Sequence, residues 1–130
     1  MAKRTSIPRP RNGGTWTEAR YWSQLRSFMR RGFMYWKPAQ DALRRASRPY
    51  VGPDKRRKRE FQCAECGKWF PRNAVHIDHI NAAASLRCEA DIVPFLRRLT
   101  EEDTYQFQVL CKAHNYAKAQ ADKKARDTLV

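Results

Sequence analysis

Two short stretches and one pair of spacings in this sequence hold residue types that chemistry could use. Cys63 and Cys66 are separated by two residues, and so are Cys111 and His114. A two-residue spacer lets one turn aim both side chains at one ion, and zinc accepts thiolate sulfur and imidazole nitrogen alike. The two pairs together therefore predict one closed, structural zinc site. Cys88 stands outside the pairing, either as a small buried residue or as a replacement for His114 as fourth ligand. The second stretch, Val75-His76-Ile77-Asp78-His79-Ile80, sets an Asp and two His residues among apolar neighbours. Asp offers a hard oxygen ligand to a divalent cation, and neutral His is suited to take a proton from water near pH 7. Burying that pair without a task is costly. Adjacent strand residues point to opposite faces, so a twist or bulge at Asp78 and His79 is expected if both address one phosphate.

Charge supplies the next constraint. The chain has 27 Lys and Arg against 13 Asp and Glu, a formal net charge of +14. Such an excess predicts a polyanionic partner. Nucleic acid leads over an anionic membrane surface, because no long amphipathic helix with a clean basic face is evident. Arg20, Arg26, Arg30, Arg31, Arg44, Arg45 and Arg48 are expected to include phosphate contacts. So is the run Lys55, Arg56, Arg57, Lys58 and Arg59, which could instead be a localisation signal in a nucleated cell. No secretory apolar segment follows the first residues and no run approaches the roughly 20 apolar residues of a membrane span, so a cytoplasmic protein is expected. In a reducing compartment the four Cys residues are metal ligands or thiols rather than disulfides.

These residues must be positioned by a chain of 130 residues, room for one compact domain plus an arm or subdomain. Residues 1–14 read as a flexible basic arm. A helix is predicted from Thr15, with Glu18 in capping-box register and apolar residues at Trp22, Leu25, Met29, Phe33 and Trp36. That stripe is read as helix packing rather than base stacking. A second helix is predicted over 38–46, ending before a turn at Arg48, Pro49 and Tyr50. Residues 15–50 thus form a helical, DNA-contacting subdomain and 51–60 a basic linker. In 61–130, β-like runs at 60–63 and 68–70 bracket the Cys63 to Gly67 knuckle. Strands are predicted at 75–80 and 106–110, with a helix over about 89–99 despite Pro94, and another after Cys111 to about Asp127.

The order of a Cys-x-x-Cys knuckle, an apolar strand ending in Asp78-His79-Ile80, and Gln108-Val109-Leu110-Cys111 followed by His114, Asn115 and Lys118 resembles the HNH endonucleases, particularly small ones of phages and mobile elements. The resemblance spans about residues 61–120. It implies an α+β fold with a ββα-metal (His-Me finger) core and structural zinc, preceded by the basic helices. It also implies that Asp78 and Asn115 hold a catalytic Mg²⁺ or Mn²⁺ and that His79 is the general base. Lys118 would contact a phosphate, and His76, which shares strand parity with Asp78, would add a ligand or touch the scissile group. The implied activity is one-metal hydrolysis of DNA, leaving 5′-phosphate and 3′-hydroxyl ends, in the cytoplasm of a bacterial host cell. Three positions depart from the pattern. His114 replaces the last zinc Cys, Asn115 replaces His, and Gln106 stands at the middle Asn, which puts support of the hairpin loop in question. The competing expectations are a zinc-stapled nucleic-acid-binding module without catalysis and an RNA-binding or assembly protein.

Overall fold

The computed structural model describes residues 6–82 and 84–128, so part of the basic arm, residues 1–5, lies outside them. Helix α1 runs Glu18–Phe33, and its N-cap is Thr17, whose hydroxyl accepts from the Arg20 amide at 3.2 Å. The expected start at Thr15 is corrected by a turn just before it. Asn12, Gly13 and Gly14 adopt φ values of 52°, 65° and 81°, the left-handed region that suits Asn and Gly. The turn bridges Arg11 to Trp16, and Thr15 donates to the Asn12 carbonyl instead of capping. Glu18 likewise leaves the capping box and forms a bidentate ion pair with Arg11, whose guanidinium lies 4.2 Å from the Tyr21 ring centre. The Arg11 side chain is thereby tied to the first turns of α1.

Helix α2, Lys37–Arg45, carries Pro38 in its first turn, where a missing N–H is harmless. Trp36, expected in the apolar stripe of the first helix, is instead the N-cap residue of this second one. Strands β1 (Ser47–Pro49), β2 (Arg59–Gln62) and β3 (Trp69–Phe70) form an antiparallel sheet in that order. A turn was expected at β1. As an edge strand ending in proline it needs no donor from Pro49, so sequence punctuation and strand coincide there. A second sheet pairs β4 (Val75–His79) with β5 (Phe107–Cys111), and α3 (Ile92–Leu99) lies between them in the chain, with Pro94 accommodated in its first turn. Helix α4, Lys112–Thr128, follows β5 without a connecting residue. The whole is mixed helix and small sheets, an α+β arrangement.

The N-terminal helices share their core with the later segments. Trp22 packs with Leu86, Phe95 and Leu99, Leu43 packs with Phe61, Val75 and Val109, and Ala39 and Ala42 admit Phe107 against α2. Aromatic burial of this kind contributes several kcal/mol per residue. Among the described residues no helix is long and apolar enough to cross a membrane. Phe95 is fully buried, so Phe95→Ala is expected to lower stability by about 3–5 kcal/mol. Urea unfolding at unchanged zinc content measures this, and a loss under about 1 kcal/mol would mean that α3 is not docked on Trp22.

Candidate functional site

The knuckle between β2 and β3 turns at Gly67, φ 70°, and the Gly67 amide donates to the Cys63 carbonyl at 2.9 Å. This brings Cys63 and Cys66 to the junction of β5 and α4, where Cys111 closes the strand and His114 lies in the first helical turn. The four ligand atoms lie within 4.8 Å of one another, with Cys111 Sγ 3.1 Å and Cys63 Sγ 3.9 Å from His114 Nδ1. Tetrahedral zinc has ligand-to-ligand edges of roughly 3.5–3.8 Å for its usual bond lengths, so the cluster could hold a zinc ion. Cys88 is exposed and outside the group, which leaves His114 as the fourth member. Burial pushes the Cys63 thiol pKa up, but amide donors from Cys111, Cys66 and Glu65 outweigh it and bring the thiol to about 7. Thiolate is the form that ligates metal.

Lined chiefly by β4 and α4, a cleft of about 340 Å³ collects the candidate catalytic residues of the sequence. Its walls include Arg30, His76, Asp78, His79, Asn115 and Lys118. Asn115, Lys118 and Asp122 share one face of α4 by their three- and four-residue spacing. Asp78, opposite Gln108 in the ladder, accepts from Gln108 Nε2 at 2.9 Å. Lys118 Nζ lies 3.2 Å from Asp78 Oδ1, 2.9 Å from Oδ2 and 2.6 Å from the His79 carbonyl oxygen. The side chain of Asn115 makes no hydrogen bond to the described residues. His76 is exposed at the cleft wall.

The expected bulge is absent, because every residue from Val75 to His79 has its antiparallel partner. His79 reaches the cleft as the last residue of β4. Its ring packs on Phe33, centroids 4.7 Å apart, and edge-on to Phe107 at 5.0 Å, while Nε2 lies 3.0 Å from the Leu99 carbonyl oxygen. A carbonyl only accepts, so Nε2 carries the proton and Nδ1 keeps its lone pair. Burial lowers the His79 pKa below 6.5; the Leu99 bond and Asp78 oppose this, and the charges of Arg30 and Lys118 assist it. A neutral imidazole at pH 7 results. Gln106 also has a task, since its side-chain oxygen accepts from Asn81 and its carbonyl from the Ile80 amide, tying down the chain after β4.

The basic residues divide by what they touch. Arg48 and Arg57 pair with Glu60 and lie over Trp69 and Tyr50, Arg59 donates to Ser47, and Arg45 reaches Thr104 and Tyr105. Arg26 donates to the Leu86 carbonyl, and Arg20 and Arg31 lie over Trp16 and Phe28. Arg30 alone of these enters the cleft, where burial and then Arg26 lower its pKa. Lys55, Arg56 and Lys58 stay exposed. Sequence reasoning missed Gln108, Asn81 and the Leu99 carbonyl; opposition to Asp78 in the ladder was the only signal for Gln108, and the other two had none. Comparison of the chain with protein-family models, curated proteins and solved structures finds no match.

Elemental analysis of the purified chain is expected to give about one zinc, retained in Cys88→Ser and lost in Cys63→Ser together with cooperative unfolding. A metal-free protein that unfolds cooperatively would refute the site. The His79 ring should titrate by NMR with a midpoint below 6.5. Because the unfolded chain then takes up the proton first, the stability that neutral His79 contributes is complete above pH 6.5 and declines as the pH falls below it. A midpoint at or above 6.5 would contradict the burial argument.

Proposed function

We propose that the chain is an HNH-type, metal-dependent endonuclease that hydrolyses DNA phosphodiester bonds, with a zinc-stapled ββα core formed by β4, β5 and α4, acting in the cytoplasm of a bacterial host. The observation that carries this reading is the meeting, in one cleft, of a neutral histidine with a free Nδ1 and a set of hard oxygen donors. The Asp78 carboxylate and the Asn115 amide oxygen would hold Mg²⁺ or Mn²⁺. A cation fits there on the evidence of Lys118, whose ammonium is already drawn to the carboxylate and to the neighbouring carbonyl. When bound, the divalent ion would stabilise charge on the phosphoryl group and the leaving 3′ oxygen.

The protein's own groups do the rest. His79 Nδ1 accepts a proton from the attacking water, and the Leu99 carbonyl holds the ring in the tautomer that allows it. Phe33 and Phe107 fix the ring plane and exclude solvent from its sides. Arg30, with no carboxylate partner among the described residues, is available to the phosphate, and His76 stands at the entrance. Lys55, Arg56 and Lys58 would hold the backbone of the duplex further out.

A non-catalytic nucleic-acid-binding module draws on the fact that Asp78 and His79 both find partners within the fold. The two readings part in one assay. Plasmid DNA with Mg²⁺ or Mn²⁺ is expected to be nicked or cut, and His79→Ala should reduce cleavage by roughly 10²- to 10⁴-fold while keeping the fold and DNA binding. Wild-type rates should rise with pH through a midpoint below 6.5 and level off near neutrality. Tight DNA binding without cleavage across several divalent metals would favour the module.

A further inference from the structure

Lys118 has no need of Asp78 for solubility, yet its ammonium is lodged between both carboxylate oxygens and the His79 carbonyl, with the Lys side chain 24% and the Asp side chain 14% exposed. Those oxygens lie where, on the nuclease reading, a divalent ion would bind. We infer that Lys118 is an exchangeable counterion: it occupies the cation position in the free protein and is handed to the phosphate when nucleic acid enters. This inference rests on the proposed cation site and says how that site is filled.

The argument is electrostatic. A carboxylate at 14% exposure is poorly solvated and needs a positive partner. In the free protein Lys118 supplies it, so a divalent cation must displace the ammonium before both oxygens are available. Displacement is unfavourable while Lys118 has nowhere to go, since Asp122, 3.8 Å away and 39% exposed, is a weak alternative. A phosphodiester in the cleft changes this, because its oxygens give the ammonium a charged acceptor. Lysine suits the exchange, being a compact charge on a flexible stem. Nucleic acid and cation should therefore each strengthen binding of the other, as linkage requires. The cleft would take up its cation mainly when substrate is present.

Calorimetric titration of the zinc-loaded chain with Mn²⁺ tests this without reading activity. Lys118→Met is expected to bind Mn²⁺ about tenfold more tightly than wild type, within the usual range of coupling effects. Arg30→Met, which removes a positive charge from the same cleft without touching Asp78, should tighten it much less. In the His79→Ala background, which spares the duplex, a short DNA should strengthen Mn²⁺ binding several-fold. The further Lys118→Met change should abolish that gain. Lys118→Gln, which keeps a donor toward Asp78 but no charge, serves if the methionine variant fails to fold. Equal tightening in Lys118→Met and Arg30→Met, or a DNA effect that survives loss of Lys118, overturns the exchange while leaving the cation site standing. Mn²⁺ binding unaffected by Asp78→Asn in every background overturns the cation site itself, and the exchange with it.

Discussion

The antiparallel ladder of β4 and β5 places Val75 opposite Cys111, Asp78 opposite Gln108 and His79 opposite Phe107, and α4 begins at the next residue after β5. From that register most of the geometry follows. Cys111 at the end of the ladder and His114 in the first turn of α4 belong to the group that could hold a zinc ion, so the helix starts where those four side chains converge. One and four residues after His114, Asn115 and Lys118 then face β4. A slip of one residue would send Asp78 and His76 to the opposite face and separate them from α4. The ladder and the cluster together set where the cleft residues of β4 and α4 meet.

His79 shows how the core and the cleft are joined. The ring lies in a nest of Phe33 from α1 and Phe107 from β5, and its hydrogen bond goes to the last residue of α3. Three elements separated in sequence thus converge on a single ring. Burial favours the neutral imidazole, and the Leu99 carbonyl determines which nitrogen is left with a lone pair. Packing, usually argued as stability, here selects both protonation state and tautomer. The same packing explains why the N-terminal helices share a core with the second half of the chain, since α1 supplies Phe33 and α2 supplies the small residues behind Phe107.

Much of this was legible in the sequence where the signal is local. The paired two-residue spacings identified all four members of the metal cluster, and β-branched content located β4 and β5 to within a residue. Helix α2 and helix α4 announced themselves by Pro38 and by an alanine-rich run. What escaped was decided by tertiary partners. Thr17 displaced Thr15 as the cap because a glycine turn drew Arg11 onto Glu18. Strand β1 was hidden because Pro49 punctuates equally well a turn or an edge strand, and only the pairing of Arg48 with Glu60 across the sheet distinguishes them. Strand parity sets the His79 ring with Ile77 against Phe33 and Phe107, opposite in direction to Asp78, and the residue borders the cleft from the end of β4.

The net charge of +14 carries less information than its distribution. Arg45, Arg48 and Arg57 lie over aromatic rings, a contact that contributes on the order of 0.5–1 kcal/mol where exposed, and Arg48, Arg57 and Arg59 brace the first sheet through Glu60 and Ser47. Planar guanidinium can stack and form hydrogen bonds at once, which explains why arginine rather than lysine fills those places. The cations left without carboxylate or ring are of a different kind. Arg30 faces the cleft, and Lys55, Arg56 and Lys58 face solvent on the loop before β2. One such charge, Arg30, lies in the cleft beside His79, whereas others, Arg44, Arg97, Arg98 and Lys112 among them, stay exposed elsewhere on the surface. Since a positive neighbour disfavours imidazolium, Arg30 helps to hold the His79 pKa below 6.5.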